Sequence, residues 1–183
     1  MDRNRALILV KEKIINSNLI KHCLAVEAVM IELADYFGQD KEKWSLAGLL
    51  HDIDYEKTKD FPEKHSLIGG EMLKEFGLDL DIIEAIQAHN EIHGLPRESQ
   101  MAKALFCSDP ITGLIVASTL VLPNKKISDL TKENVLNRYK TKGFAQGAKR
   151  ETIATCEELR LSLEKFIEIS LQAMQKIPQE LGL

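Results

Sequence analysis

Apolar residues recur at spacings of three and four through most of this 183-residue chain, and no stretch keeps the strict alternation of a half-buried strand. From Asn18 to Phe37 the series Leu19, Cys23, Val26, Val29, Leu33 and Phe37 marks one helical face, with Asn18 read as N-cap and Gly38 as stop. A second helix is predicted from about Lys41 to His51. A third follows Pro62 and reaches Phe76 before Gly77, and a fourth covers about Leu80 to Asn90, ahead of the turn His93-Gly-Leu-Pro96. Glu98 to Leu122 reads as a long buried helix, bent or interrupted near Asp109-Pro110, because proline removes an amide donor and crowds the preceding turn. Ser128 to about Tyr139 and Arg150 to Lys176 complete an all-α chain, in which Thr152 to Ile177 is an amphipathic helix finishing the core or forming a dimer face.

Length and an apolar fraction of 44% predict one domain covering residues 1–183. A net charge of −4 argues against a general polyanion binder, so nucleic acid is not the expected partner. The cysteines Cys23, Cys107 and Cys156 are odd in number and never in a C-x-x-C spacing, which speaks against a disulfide framework or a thiolate zinc site and fits a reducing cytoplasm. The apolar patch Ala6 to Val10 is too short for a secretory signal, so a cytoplasmic location is expected. Ala104 to Leu122 approaches the length of a membrane span, yet it contains Asp109, Pro110, Thr112 and Ser118 and lacks an aromatic belt; a core helix is the better reading, and no membrane is expected.

The pair His51-Asp52 changes the picture most. It closes the apolar run Trp44 to Leu50, where an unpaired carboxylate costs several kcal/mol unless a cation neutralises it. All five histidines fall between residues 22 and 93 of the chain. His22 shares a face with Val26, Val29 and Leu33, and is read either as a hydrogen-bonded core imidazole or as a ligand. Asp109 lies among Leu105, Phe106, Ile111, Leu114 and Ile115, and is read either as a hinge carboxylate at Pro110 or as a ligand. Together His22, His51, Asp52 and Asp109 form a mixed N/O set suited to a divalent metal such as Mn, Fe, Co, Ni, Zn or Mg, with coordination positions left over for water and a phosphate oxygen.

The order His22, His51-Asp52, Asp109, with the stretch Leu46-Ala-Gly-Leu-Leu-His-Asp-Ile-Asp-Tyr55, resembles the HDIG-type branch of the HD-domain metal-dependent phosphohydrolase superfamily. The likeness covers about residues 18–122, with a C-terminal helical extension over about 123–183. It implies an HD-domain helical bundle with additional C-terminal helices, hydrolysing a phosphomonoester or phosphodiester of a small phosphorylated metabolite, a nucleotide by preference. The four residues above would be its metal ligands. The segments around His65 and His89 resemble those that supply a second ion in the binuclear branch, with Asp52 bridging; contact with the substrate phosphate, or helix capping in a one-metal site, is the alternative. Asn90 stands where that branch has a second histidine, Gly94-Leu-Pro96 is shorter than the cyclic-dinucleotide phosphodiesterase signature, and Tyr55 replaces the usual lysine, so one or two ions stays open.

Asp54, Glu56, Lys57 and Asp60 are candidates to protonate or neutralise the leaving group, Asp60 at the spacing found in some nucleotidases of the superfamily; a solvated, charged loop is the alternative. Lys21, Arg97 and Lys57 are the candidate phosphate contacts. His93 and the cluster Lys140-Thr-Lys-Gly with Lys149-Arg150 read as exposed. A non-catalytic metal- and nucleotide-binding sensor and a di-iron oxygenase are the rival functions, and a homodimer is left open.

Overall fold

In the computed structural model, which describes residues 1–183, the chain runs α1 (Arg3–Lys13), α2 (Ser17–Phe37), α3 (Lys41–Leu50), α4 (Tyr55–Thr58), α5 (Leu67–Glu75), α6 (Leu80–Ala88), α7 (Gln100–Leu120), α8 (Lys132–Lys140), α9 (Arg150–Ala154), α10 (Leu163–Gln175) and α11 (Pro178–Leu181), with no strand. Helices α2 and α7 pack on one another and carry the interior. Around α2 lie α3, α10 and α11, and around α7 lie α6, α8 and α9. One apolar cluster of 46 buried residues runs from Ala6 to Leu181, so the helices beyond Pro123 close the same core that the earlier ones open. α7 is long and apolar enough to cross a membrane by length and composition alone, but 67% of its most apolar stretch is buried against its neighbours.

Four differences from the sequence expectation have local causes. α1 is an added helix, capped by the Asp2 side chain on the Arg5 amide and docked by only Ala6, Leu9 and Val10; three buried positions give too little periodicity to read. α2 starts two residues early because Asn16, not Asn18, is its N-cap. The residues after Pro62 form turns, and α5 begins only at Leu67. α7 passes unbroken through Pro110, since burial of Phe106, Ile111, Leu114 and Ile115 on both sides outweighs a local cost of about 3 kcal/mol.

The predicted helix Arg150 to Lys176 is three pieces. A 3-10 segment, Thr155–Leu159, follows α9, Arg160 turns left-handed at φ 59°, and Ser162 caps α10 through the Lys165 amide. The break lets Leu159 and Leu161 enter the core while α10, packed against α2, α7 and α8, buries Phe166, Ile167, Ser170 and Met174.

The junction of α2 and α3 sets the position of everything downstream. A Cβ on Gly48 would lie 2.8 Å from Glu27 Cα and 3.0 Å from the Val26 carbonyl oxygen, so the two backbones touch. Beside this contact the buried Glu27 carboxylate accepts from Arg3 Nε (2.6 Å) and Nη2 (2.8 Å) and from Ser45 Oγ (2.6 Å), tying α1, α2 and α3 through one group. At Gly113, on the exposed side of α7, an added Cβ meets nothing within 4 Å. Gly48→Ala is therefore expected to lower stability by about 1–3 kcal/mol through overpacking, and Gly113→Ala to raise it by about 0.5–1 kcal/mol by relieving helix-interior glycine entropy. Urea unfolding of both variants measures the two opposite shifts.

Candidate metal centre

Six side chains from five places in the fold converge. His22 comes from α2, His51 and His89 are the first residues past α3 and α6, Asp52 follows His51, His65 lies in the turn before α5, and Asp109 comes from α7. The helix ends matter because their last carbonyls lack intrahelical partners. His51 Nδ1 donates to the Gly48 carbonyl at 2.8 Å, and His89 Nδ1 to the Ile86 carbonyl at 2.6 Å. His65 Nδ1 is held by Asp54 Oδ1 at 2.9 Å, while Asp54 Oδ2 accepts the Gly69 amide at 2.7 Å. His22 Nδ1 lies 3.2 Å from Thr112 Oγ1, whose own proton goes to the Asp109 carbonyl at 2.8 Å, so the ring is the donor.

All four Nδ1 protons thus point outward, and all four Nε2 lone pairs point inward. His22 and His51 Nε2 are 3.2 Å apart, as are His65 and His89 Nε2. Asp109 Oδ1 is 3.0 Å from His22 Nε2. Asp52 lies between the two imidazole pairs, with Oδ2 3.8 Å from His22 Nε2 and Oδ1 at 3.5, 3.2 and 3.6 Å from the Nε2 atoms of His51, His65 and His89. Two donors each about 2.1 Å from a shared ion stand about 3.0–3.4 Å apart in octahedral or tetrahedral geometry, which holds for His22 with His51 and Asp109 and for His65 with His89 and Asp52, while Asp52 stands 3.5–3.8 Å from the other three rings. Four ring nitrogens gathered around two carboxylates, with no lysine or arginine among them, fit a divalent cation that displaces the proton held on His65. One group is His22, His51 and Asp109; the other is His51, Asp52 and His89, with His65 Nε2 3.2 Å from His89 Nε2.

Depth is graded. His51 and Asp54 are fully buried, Asp52 and His89 nearly so, His22 and His65 partly, and the Asp109 side chain is 37% exposed. The centre therefore opens on the Asp109 side, into a polar cavity of about 220 Å³ walled by His65, His89, Phe106, Asp109 and Lys149. On the far side of His22 lies a more apolar cavity of about 440 Å³, formed by Lys21, Thr112, Gly113 and the segment Leu181 to Leu183.

As protein groups alone, these side chains perturb one another strongly. Burial pushes the His51 imidazolium down to about 4, against the attraction of Asp52. Burial also opposes the charge on His65, but hydrogen bonds to Asp52 and Asp54 reverse the effect and raise it to about 10. His22 is raised as well, because Asp109 outweighs its burial. Burial opposes ionisation of Asp52 too, yet the surrounding imidazoles hold it well below the usual carboxylate range; His22 does the same, less strongly, for Asp109.

Several sequence candidates sit elsewhere. Asp54 is corrected from leaving-group acid to anchor, since both its oxygens are committed to His65 and Gly69 at zero exposure. Asp60 and Lys57 are exposed on the α4 side and line neither cavity. Glu56 accepts the Ile15 and Asn16 amides at the α1–α2 joint. Arg97 stacks 3.8 Å above the Phe106 ring, outside the polar cavity that Phe106 lines, while Lys21 borders the apolar one. Tyr55 packs edge-on against His65.

Asn90 is no ligand. Its amide donates to the Pro62 and His65 carbonyls and its oxygen accepts the Ile92 amide. His93, expected to be exposed, is half-buried and donates Nε2 to the same His65 carbonyl at 2.6 Å. Ser66, at φ 70°, is a strained residue whose hydroxyl reaches the Gln87 carbonyl, so the two turns that carry His65 and His89 are stitched together. The pairing of Asp54 with a histidine eleven residues on is the one local signal for any of this.

The HD domain family matches residues 19–114, a span that contains all six converging side chains. Among curated proteins the chain is 31% identical over 169 residues to ribonuclease Y of Nitratidesulfovibrio vulgaris, covering 82% of this chain and 32% of that protein. It is 31% identical over 137 residues to ribonuclease Y of Lawsonia intracellularis, covering 73% and 26%. It is also 31% identical over 134 residues to the symmetrical bis(5'-nucleosyl)-tetraphosphatase of Halalkalibacterium halodurans, covering 61% of this chain and 69% of that protein. The chain spans about a quarter to a third of the length of the ribonuclease Y proteins it matches. No solved structure gives a significant match.

Two outcomes follow from the anchoring. Because His65 holds its proton up to about pH 10, a cation must displace that proton, and apparent metal affinity is expected to rise with pH through the neutral range by about tenfold per unit per proton released. Calorimetric titration with Mn²⁺ in buffers of different ionisation enthalpy counts the protons. Asp54→Asn is expected to lower metal affinity about 10–100-fold and to reduce proton release, with unchanged helical circular dichroism.

Proposed function

This chain belongs to the HD domain family, and we propose that it is a metal-dependent phosphohydrolase whose substrate is a nucleoside polyphosphate. The observation that carries the reading is the set of four Nδ1-anchored imidazoles aimed, with Asp52 and Asp109, at one centre beside an open polar cavity. His22, His51, Asp52 and Asp109 would hold one divalent ion, and His65 and His89 a second, with Asp52 shared. Ions held there supply Lewis acidity toward a phosphoryl oxygen and make a water acidic enough to ionise near neutral pH.

The protein's own part is to fix geometry and exclude solvent. The Gly48 and Ile86 carbonyls, Asp54 and Thr112 hold each ring in one tautomer, and Asp52 stays a carboxylate because the imidazoles around it stabilise its charge. Asp109 is the most exposed of the six and meets what enters the cavity. Apart from these groups, the charged side chains on the cavity wall are Glu91 and Lys149, paired with each other. No free acid stands ready for an alkoxide, which favours an anhydride, whose leaving phosphate has a pKa near about 6 and needs no proton. The tetraphosphatase of Halalkalibacterium halodurans, aligned over most of its length, supports the same class.

Cleavage of RNA is the second reading, favoured by the ribonuclease Y relatives; a net charge of −4 weighs against an extended polyanion. The deciding assay supplies Mn²⁺, Fe²⁺, Co²⁺, Ni²⁺, Zn²⁺ or Mg²⁺ and compares a symmetrical dinucleoside tetraphosphate, a nucleoside triphosphate, a nucleoside monophosphate and a short RNA. Turnover of the polyphosphates, reduced on the order of a thousandfold in Asp52→Asn, is expected. Binding without turnover of any of them would favour a sensor, preferential RNA cleavage the nuclease, and metal-dependent oxygen uptake an oxygenase.

A further inference from the structure

The polar cavity beside the centre has one lysine or arginine on its wall, Lys149, and this residue comes from the segment between α8 and α9, forty positions beyond Asp109. Its ammonium is ion-paired with Glu91, which lines the same cavity from the 3-10 turn that follows His89. Both side chains are largely exposed, 60% for Lys149 and 48% for Glu91, so water screens the pair and it holds only weakly.

The backbone under Lys149 is, by contrast, fixed. The neighbouring Arg150 guanidinium donates to the carbonyls of Arg138, Tyr139, Phe144, Ala145 and Ala148, and the Tyr139 hydroxyl donates back to the Arg150 carbonyl. An exposed ammonium thus stands on a densely hydrogen-bonded base. Gly147, two residues earlier, also lines the cavity, and a Cβ placed on it meets nothing within 4 Å, so the wall beside Lys149 faces open space.

We propose that Lys149 binds the phosphate next to the one at the metal centre, exchanging the Glu91 carboxylate for it, and that this exchange selects substrates with two or more linked phosphates over monophosphates. The assignment rests on the phosphohydrolase reading of the same site. The Glu91 carboxylate stands in for the phosphate oxygens. A terminal phosphate near neutral pH carries more charge than one carboxylate, an internal one the same charge, and either, already tethered through its neighbour at the centre, displaces Glu91 from a partner that is only loosely held. A cavity of about 220 Å³ suits a short phosphate chain and leaves the organic remainder outside.

The test uses the full chain with Mn²⁺ in constant excess and two probes that cannot be hydrolysed, methylenediphosphonate and methylphosphonate, with affinities read by calorimetry. The wild type is expected to prefer the diphosphonate. Lys149→Met should weaken its binding at least tenfold, Glu91→Gln should tighten it about threefold, Lys149→Arg should restore most of the loss, and methylphosphonate should change less than twofold throughout. Lys140→Met, on an exposed lysine at the end of α8 and off this cavity, serves as control and should leave both probes unchanged. Equal binding of the diphosphonate by wild type and a folded Lys149→Met, or no preference in the wild type, overturns the proposal. Lys149-dependent binding without turnover of any nucleoside polyphosphate leaves it standing and removes the phosphohydrolase reading instead.

Discussion

Each of four histidines gives its Nδ1 proton to a fixed acceptor, and the rest of the centre follows from that constraint. Once the Gly48 carbonyl, the Ile86 carbonyl, Asp54 and Thr112 have taken those protons, the Nε2 lone pairs face one another across about 3.2 Å, with Asp52 among them. Such an arrangement is unfavourable for the protein by itself; Asp52 and Asp54 favour a proton on His65 despite its burial, while burial makes the deeper His51 resist one. The stability lost in gathering these groups is the preorganisation a divalent cation uses.

The bundle supports that arrangement through backbone contacts at helix ends. The close approach of α2 and α3 at Gly48 brings His22 beside His51, and the same glycine's carbonyl orients the His51 ring, so a single residue serves packing and chemistry. A parallel device acts on the other pair. Ser66, Asn90 and His93 bind the turn of His65 to the turn of His89, with the strain at Ser66 held in place by its hydroxyl on the Gln87 carbonyl. Asn90 is thereby explained as a strap rather than as a weakened ligand, which leaves His65, His89 and Asp52 as the groups facing the centre on this side.

The C-terminal third has more than a packing role. α10 completes the core against α2, but the segment between α8 and α9 returns to the centre and places Lys149 and Gly147 on the wall of the polar cavity. The arginine that follows is saturated by five carbonyls, an expensive commitment for a surface turn unless its position matters.

The sequence by itself determined the all-α class, the ligands His22, His51, Asp52 and Asp109 as candidates, and the kind of cation they suit. These were legible because each is a polar residue in an apolar helical context, and burial of such a group demands a partner. Tertiary structure alone decided the rest. Asp54 looked like loop charge until α5 covered it, Lys149 looked like a solvated bend until the chain folded back over the cavity, and the expected helix over Arg150 to Lys176 broke at Arg160 although its 3.6-residue period ran straight through. Periodicity records which face a residue is on, whereas burial, strain and pairing depend on which distant segment arrives at that face.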